Sequence, residues 1–159
     1  MRKMFFVLAA LLISIASNAQ FEKGKFYGGA SLSNLNLNYS DAGKLRLDVN
    51  ALGGYFFEDN AMAYVSAGID TNHDYTDLSV TLGGRYYIVQ NGIYLGANVG
   101  VKQVDSQRHN DFKAGIEIGY AFFINRYITI EPQIFYDQSF KSHKDYSKVG
   151  FRLGLGFYL

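Results

Sequence analysis

Three histidines, His73, His109 and His143, stand among Asp74, Asp105, Asp111 and Asp145 in polar stretches of the chain. Imidazole beside carboxylate is the raw material of acid–base catalysis and of metal binding. The spacing favours neither. His73 is followed two residues on by Tyr75, His109 by Asp111 and His143 by Asp145, so no histidine has a serine at that distance. Ser142 adjoins His143, but neighbours in an extended chain point to opposite sides. Cysteine is absent, which removes disulfides, thiol nucleophiles, thiolate metal sites and a lipid-bearing cysteine. The glycine pairs Gly28-Gly29, Gly53-Gly54 and Gly83-Gly84 are not phosphate loops, because no helix follows them; curvature or close packing is their expected use. No catalytic, cofactor-binding or metal residue is assigned. A net charge of +1 makes no case for nucleic acid.

A second group of charges is more informative. Arg85, Glu117, Glu131 and Arg152 interrupt segments that are otherwise apolar and glycine-rich. Their chemistry depends on what those segments are. In Leu45 to Phe57, the set Leu45, Leu47, Val49, Ala51, Gly53, Tyr55, Phe57 alternates with Arg46, Asp48, Asn50, Leu52, Gly54, Phe56. The same period of two recurs over 78–88, 93–102, 112–123 and 149–159, and more weakly over 25–33, 61–70 and 127–137. That is the period of a strand, and nothing after the first residues has the period of a helix. Eight strands result, each near the ~9–11 residues of a tilted membrane strand.

The connections alternate in length. Glu58-Asp59-Asn60, Gln90-Asn91-Gly92 and Asn125-Arg126 are tight, and Asn91-Gly92 is a hairpin signal. "YSDAGK", "TNHDYTD", "VDSQRHND" and "QSFKSHKDYS" are longer and polar. Four strands run into the short-turn side with like endings, "GGYFF", "GGRYY", "GYAFF" and "GLGFY", a repeat of one hairpin per unit. Tyr55, Phe57, Tyr86, Tyr120, Phe122 and Phe157, with Phe26 and Tyr127, form one aromatic belt, and Tyr39, Tyr75, Phe112, Tyr136 and Tyr146 form another. Two belts around an aliphatic band suit two membrane–water interfaces. A soluble sandwich would carry Lys, Glu and Thr on the second face, where this chain has Gly, Ser, Asn, Tyr and a few charges. The fold class is therefore all-β: a single closed antiparallel up-and-down transmembrane β-barrel of eight strands, spanning residues 20–159. Arg2 and Lys3, the apolar run Met4 to Ile15 and the small residues Ser17-Asn18-Ala19 make residues 1–19 a cleavable signal peptide.

By parity the inward charges are Arg46, Asp48, Asp70, Arg85, Lys102, Lys113, Glu117, Glu131, Asp137, Lys148 and Arg152. Arg85, Glu117, Glu131 and Arg152 fall in the lower and middle barrel and are expected to pair as a lumen ion-pair network, since an unpaired buried charge is costly. A static plug is the expectation and a gate or ion path the alternative, because the bore of ~8 strands is just filled by side chains. Two irregularities are expected. One is a bulge or strand end near Ser33-Asn34, where Leu35 and Leu37 change parity. The other is at Pro132, which lacks an N–H inside a closed ladder.

Over 20–159 the chain resembles the small outer-membrane β-barrel proteins, of the kind of the OmpA membrane domain and OmpX. Arg152, Gly154, Phe157 and Leu159 fill the places of that family's terminal barrel-assembly signal, with leucine where phenylalanine is usual. Asn18-Ala19-Gln20 and "IEPQIFYD" resemble Bacteroidetes-type members. The resemblance implies a cell outer-membrane location, contact with outer-membrane lipid and lipopolysaccharide, handling by the barrel-assembly machinery, surface ligands for the long loops, a monomer, and no cofactor. It implies a non-enzymatic structural or surface-interaction role. A lipid-modifying enzyme of the lipid A acylase or deacylase type, or a narrow channel, is the alternative. The His-any-Ser pair of the deacylase barrels is absent, and no domain is expected after Leu159. Removing Phe157 to Leu159 should block assembly and strand the chain in the periplasm; normal outer-membrane levels of the truncated chain would refute the assembly signal.

Overall fold

A computed structural model describes residues 21–33, 47–71, 76–88, 92–104, 109–140 and 148–159. The eight strands are β1 (Phe26–Ser33), β2 (Leu47–Glu58), β3 (Ala61–Thr71), β4 (Thr76–Tyr87), β5 (Ile93–Val104), β6 (His109–Tyr120, continued by Phe122–Phe123), β7 (Ile128–Ser139) and β8 (Lys148–Tyr158). Each pairs antiparallel with its sequence neighbours, and β1 pairs with β8, from Tyr27↔Tyr158 to Ser33↔Arg152. Reciprocal backbone bonds from Phe26 N–H to Leu159 O (2.9 Å) and from Leu159 N–H to Phe26 O (2.8 Å) extend that seam. The sheet thus closes into an eight-stranded up-and-down barrel, the fold class that the alternation predicts.

The two residue sets separate as a pleated wall requires. Val80, Leu82, Val99, Ile116, Ile118, Ile134, Phe151 and Leu155 are exposed on the outer surface, while Thr81, Arg85, Gly115, Glu117, Glu131, Gln133 and Phe135 are buried within. Large aliphatic side chains on the outside and charges on the inside invert the usual globular arrangement. The outer belt at the short-turn end holds Phe26, Tyr55, Phe57, Tyr86, Tyr127 and Phe157, all exposed. At the far end Phe112 and Tyr136 also face outward, whereas Tyr39, Tyr75 and Tyr146 lie outside the described residues.

Three local features refine the sequence reading. β3 runs to Thr71 and β4 starts at Thr76, and β5 runs to Val104 and β6 starts at His109, so the outer residues of "TNHDYTD" and "VDSQRHND" are strand, and their centres, 72–75 and 105–108, lie outside the described residues. Pairing continues to Asp70↔Asp77 and Lys102↔Asp111 because alternation, and not hydrophobicity, is all a ladder needs once it leaves the apolar band. The β2–β3 register shifts between Phe56 and Glu58, beside a turn where Asn60 takes a left-handed conformation (φ 65°). At Pro132 an irregularity is present as expected. The β6–β7 ladder stops at Gly119↔Gln133 and resumes at Phe122↔Ile130, and the Ala121 N–H turns to Gly92 O (2.8 Å). The expected irregularity after Ser33 and the residues 1–20 lie outside the described residues.

The outer position of Val99, 45% exposed, generates a quantitative expectation. Val99→Arg should lower the unfolding free energy in lipid by about 2–4 kcal/mol, the cost of a cation at mid-depth on a lipid face. Urea titration in vesicles measures it, and a loss no larger than that of Gln103→Arg, near the rim, would contradict a lipid-facing band.

The lumen as candidate functional site

Four strands deliver the central charges. Arg85 comes from β4, Glu117 from β6, Glu131 from β7 and Arg152 from β8, each at an inward position. Arg85 Nε lies 2.6 Å from Glu117 Oε1, and Arg85 Nη1 lies 3.2 Å from Glu131 Oε2. The three side chains are 3%, 1% and 2% exposed, so this guanidinium bridges two carboxylates across the bore, out of water. Arg152 Nη1 stands 3.7 Å from Glu117 Oε2, with its guanidinium carbon 4.3 Å from the Phe135 ring centroid. Two cations and two anions are gathered in one cluster, and their formal charges cancel.

The residues that complete the cluster are neutral, and a survey of charges alone passes over them. Glu131 accepts four hydrogen bonds: from Thr129 Oγ1 (2.7 Å) and Tyr158 OH (3.0 Å) on Oε1, and from Tyr27 OH (2.9 Å) and Arg85 on Oε2. That uses the acceptor capacity of an ionised carboxylate. Gln133 Oε1 accepts from Tyr94 OH (2.9 Å) and Arg85 Nη2 (3.3 Å). The Arg85 guanidinium carbon lies 4.5 Å from the Tyr94 ring centroid and 5.2 Å from that of Tyr64, within cation–π range. Tyr27, Tyr64, Tyr94 and Tyr158 all belong to the inward set; their parity was the available signal.

Glycines make the space for these rings. A Cβ at Gly29 would fall 2.6 Å from the Tyr27 hydroxyl, and one at Gly83 would fall 2.5 Å from Tyr64 Cζ. In the pairs Gly28-Gly29 and Gly53-Gly54 the first member meets nothing within 4 Å, while the second lies under Tyr27 or Met62. Only the inner glycine of each pair serves packing, because only it faces the crowded bore.

Above the ionic centre, toward the long connections, the lumen turns polar. Lys102 Nζ bridges Asp70 (3.1 Å) and Asp77 (2.9 Å), Lys113 Nζ lies 3.6 Å from Asp137, and Asn50 donates to Asp48 (2.6 Å). A cavity of about 30 Å³ between Arg152, Glu117, Lys113 and Asn98 has room for about one water. Below the centre, Tyr27, Phe56, Met62, Tyr64, Tyr87, Tyr94, Ala121 and Tyr158 form an apolar cluster. Arg46 and the side chain of Lys148 lie outside the described residues, as do His73, His143 and the His109 side chain. Among the described residues no group of three or more acidic or histidine side chains could hold a metal. Of the terminal residues, Arg152 points into the lumen, Gly154 is buried beneath Glu131, and Phe157 and Leu159 are exposed on the outer surface.

Neither a protein-family model nor a curated protein matches the sequence. Solved structures do. The N-terminal β-barrel domain of Pseudomonas aeruginosa OprF superposes with a TM-score of 0.69 at 15% identity, covering 86% of this chain and 98% of that one. The fold is that of the small outer-membrane β-barrels. Yersinia pestis Ail, solved in a phospholipid bilayer nanodisc, gives 0.60 at 13% identity over 86% of this chain and all (100%) of that one. Neisserial surface protein A gives 0.56 at 14% identity, covering 85% of this chain and 94% of that chain. Coverage this complete means that the eight strands account for the neighbours' architecture as well. At such identities the likeness concerns the backbone, and the lumen side chains stand on their own geometry.

Arg85→Ala would leave Glu117 and Glu131 buried without their shared cation. It should cost about 3–5 kcal/mol of unfolding free energy by urea titration in micelles. Adding Glu117→Gln and Glu131→Gln should recover more than half of the loss. A single-variant loss below about 1 kcal/mol, the worth of an exposed pair, would mean that water reaches these charges.

Proposed function

We propose that this chain is an integral outer-membrane barrel with a filled lumen, non-enzymatic, acting through its long-connection end and as part of the membrane's fabric. The observation that carries the reading is the Arg85 bridge. A guanidinium held between Glu117 and Glu131, ringed by Tyr27, Tyr64 and Tyr94, occupies the bore toward the short-turn end. Phe56, Met62, Tyr87 and Ala121 pack on its short-turn side, and a lumen filled in this way favours a plug over a channel. The inverted surface supports the membrane setting: an aliphatic band between two aromatic rims matches lipid bounded by two interfaces. Residues 1–19 act as the export leader in this reading, and Arg152, Gly154, Phe157 and Leu159 as the assembly signal. The outer rim meets lipopolysaccharide, surface ligands engage the long connections, and the barrel works as a monomer.

Two measurements test this. Purified protein in a planar bilayer should give at most small, rare openings, and a large steady conductance would replace the plug with a channel. A deletion strain should keep the lipid A mass profile of its parent; a changed acylation pattern would replace the non-enzymatic reading with a lipid-modifying one.

A further inference from the structure

One ring in the lumen's lower cluster belongs to no strand. Phe21, ahead of β1, stacks on Tyr87 with centroids 4.2 Å apart and planes 21° apart. It also lies 5.6 Å from Phe123, 5.6 Å from Tyr158 and 6.2 Å from Phe56. Those four partners come from β4, the β6 continuation, β8 and β2, so the ring touches several sides of the wall at once. Tyr87, Phe56 and Tyr158 occupy the last rungs beside the short turns, where an open barrel mouth would leave them wet. They are instead 0%, 0% and 2% exposed. Something covers them, and the ring across them is Phe21.

The backbone of 21–25 is stitched to the β2–β3 turn. Asn60 N–H donates to Phe21 O (2.7 Å), Gly24 N–H to Phe56 O (2.8 Å), and Phe56 N–H to Lys25 O (2.9 Å). Lys23 N–H donates to Asp59 Oδ1 (2.9 Å). Gly24 has φ +92°, a conformation that L side chains rarely adopt, and this bend brings the segment back across the mouth before β1 begins. The Lys23–Glu58 pair (3.3 Å) is 61% and 62% exposed, and contributes little to the hold. The half-buried ring and the four backbone donors carry it.

We propose that residues 21–25 form a strap whose Phe21 ring seals the short-turn end of the lumen, so that the ionic centre communicates with water only through the long-connection end. The chain has no tryptophan, which makes the seal directly readable. Phe21→Trp, refolded into lipid vesicles, should emit at shorter wavelength than in urea. It should be quenched several-fold less by acrylamide than in urea, and be indifferent to brominated acyl chains. Acrylamide quenching equal to that in urea would mean a released strap, and quenching by brominated lipid would mean a ring lying in the bilayer; either overturns the proposal. The second variant asks whether the cover matters. In folded Phe21→Ala, judged by its β-sheet circular dichroism, N-acetylimidazole should acetylate Tyr87 and Tyr158 at least tenfold faster than in the unmodified protein. Tyr55 and Tyr127, exposed on the outer surface, serve as internal standards with equal rates in both. Unchanged protection of Tyr87 and Tyr158 would overturn the seal even if the strap is docked.

Discussion

A ring of eight strands closes around a bore that side chains must fill, and the filling here turns on one guanidinium. Arg85 is the only described group that touches both buried carboxylates, at 2.6 Å and 3.2 Å. Everything around it follows from the cost of holding charge away from water. Glu117 needs Arg152 on its second oxygen, and Glu131 needs three hydroxyls on the lone pairs that Arg85 leaves. Tyr27, which supplies one of those hydroxyls, needs Gly29 and Gly156 beside its ring to fit. The glycine-rich inner face, which would weaken an ordinary strand, is thus a consequence of placing an ionic cluster inside a narrow bore.

The outer face obeys a different rule. Val80, Leu82, Val99 and Ile116 are exposed on a closed wall in which every strand pairs on both sides, the condition for standing in hydrocarbon. The two faces impose opposite demands on alternate residues, and the sequence records both with a period of two. That is why the strand set and the inward charges could be read from residues alone. Leu78–Ile88 and Phe151–Leu159 alternate in the structure as they do in the sequence. Even the disturbance at Pro132 was legible, because a missing N–H has a local cause.

What escaped reading was non-local or unpatterned. The clamp of Tyr27, Thr129 and Tyr158 on Glu131 joins residues up to 104 positions apart, and no periodicity says which inward tyrosine meets which carboxylate. The register shift between Phe56 and Glu58 depends on how one turn twists. Phe21 was invisible for a related reason: a five-residue stretch ahead of β1 has no period, and its value lies entirely in where Gly24 bends it. The upper strands were drawn too short because polar residues such as Asp77 and Asn110 look like loop until their pairing partners are known.

The seam between β1 and β8 has a kinetic meaning. Its bonds, Phe26 with Leu159 and Tyr27 opposite Tyr158, join the two ends of the described chain. The other pairings link strands adjacent in sequence and form at small loop-closure cost, whereas this one demands the largest entropy loss in the molecule. β1 must therefore wait with one edge unsatisfied until the whole meander has been laid down. During that interval the open sheet exposes an aggregation-prone strand edge beside apolar surface. Gly28, Gly29, Gly154 and Gly156 carry no side chains to specify register at this last stitch, so the seam relies on Tyr27, Leu32, Arg152, Leu153 and Tyr158 to set it.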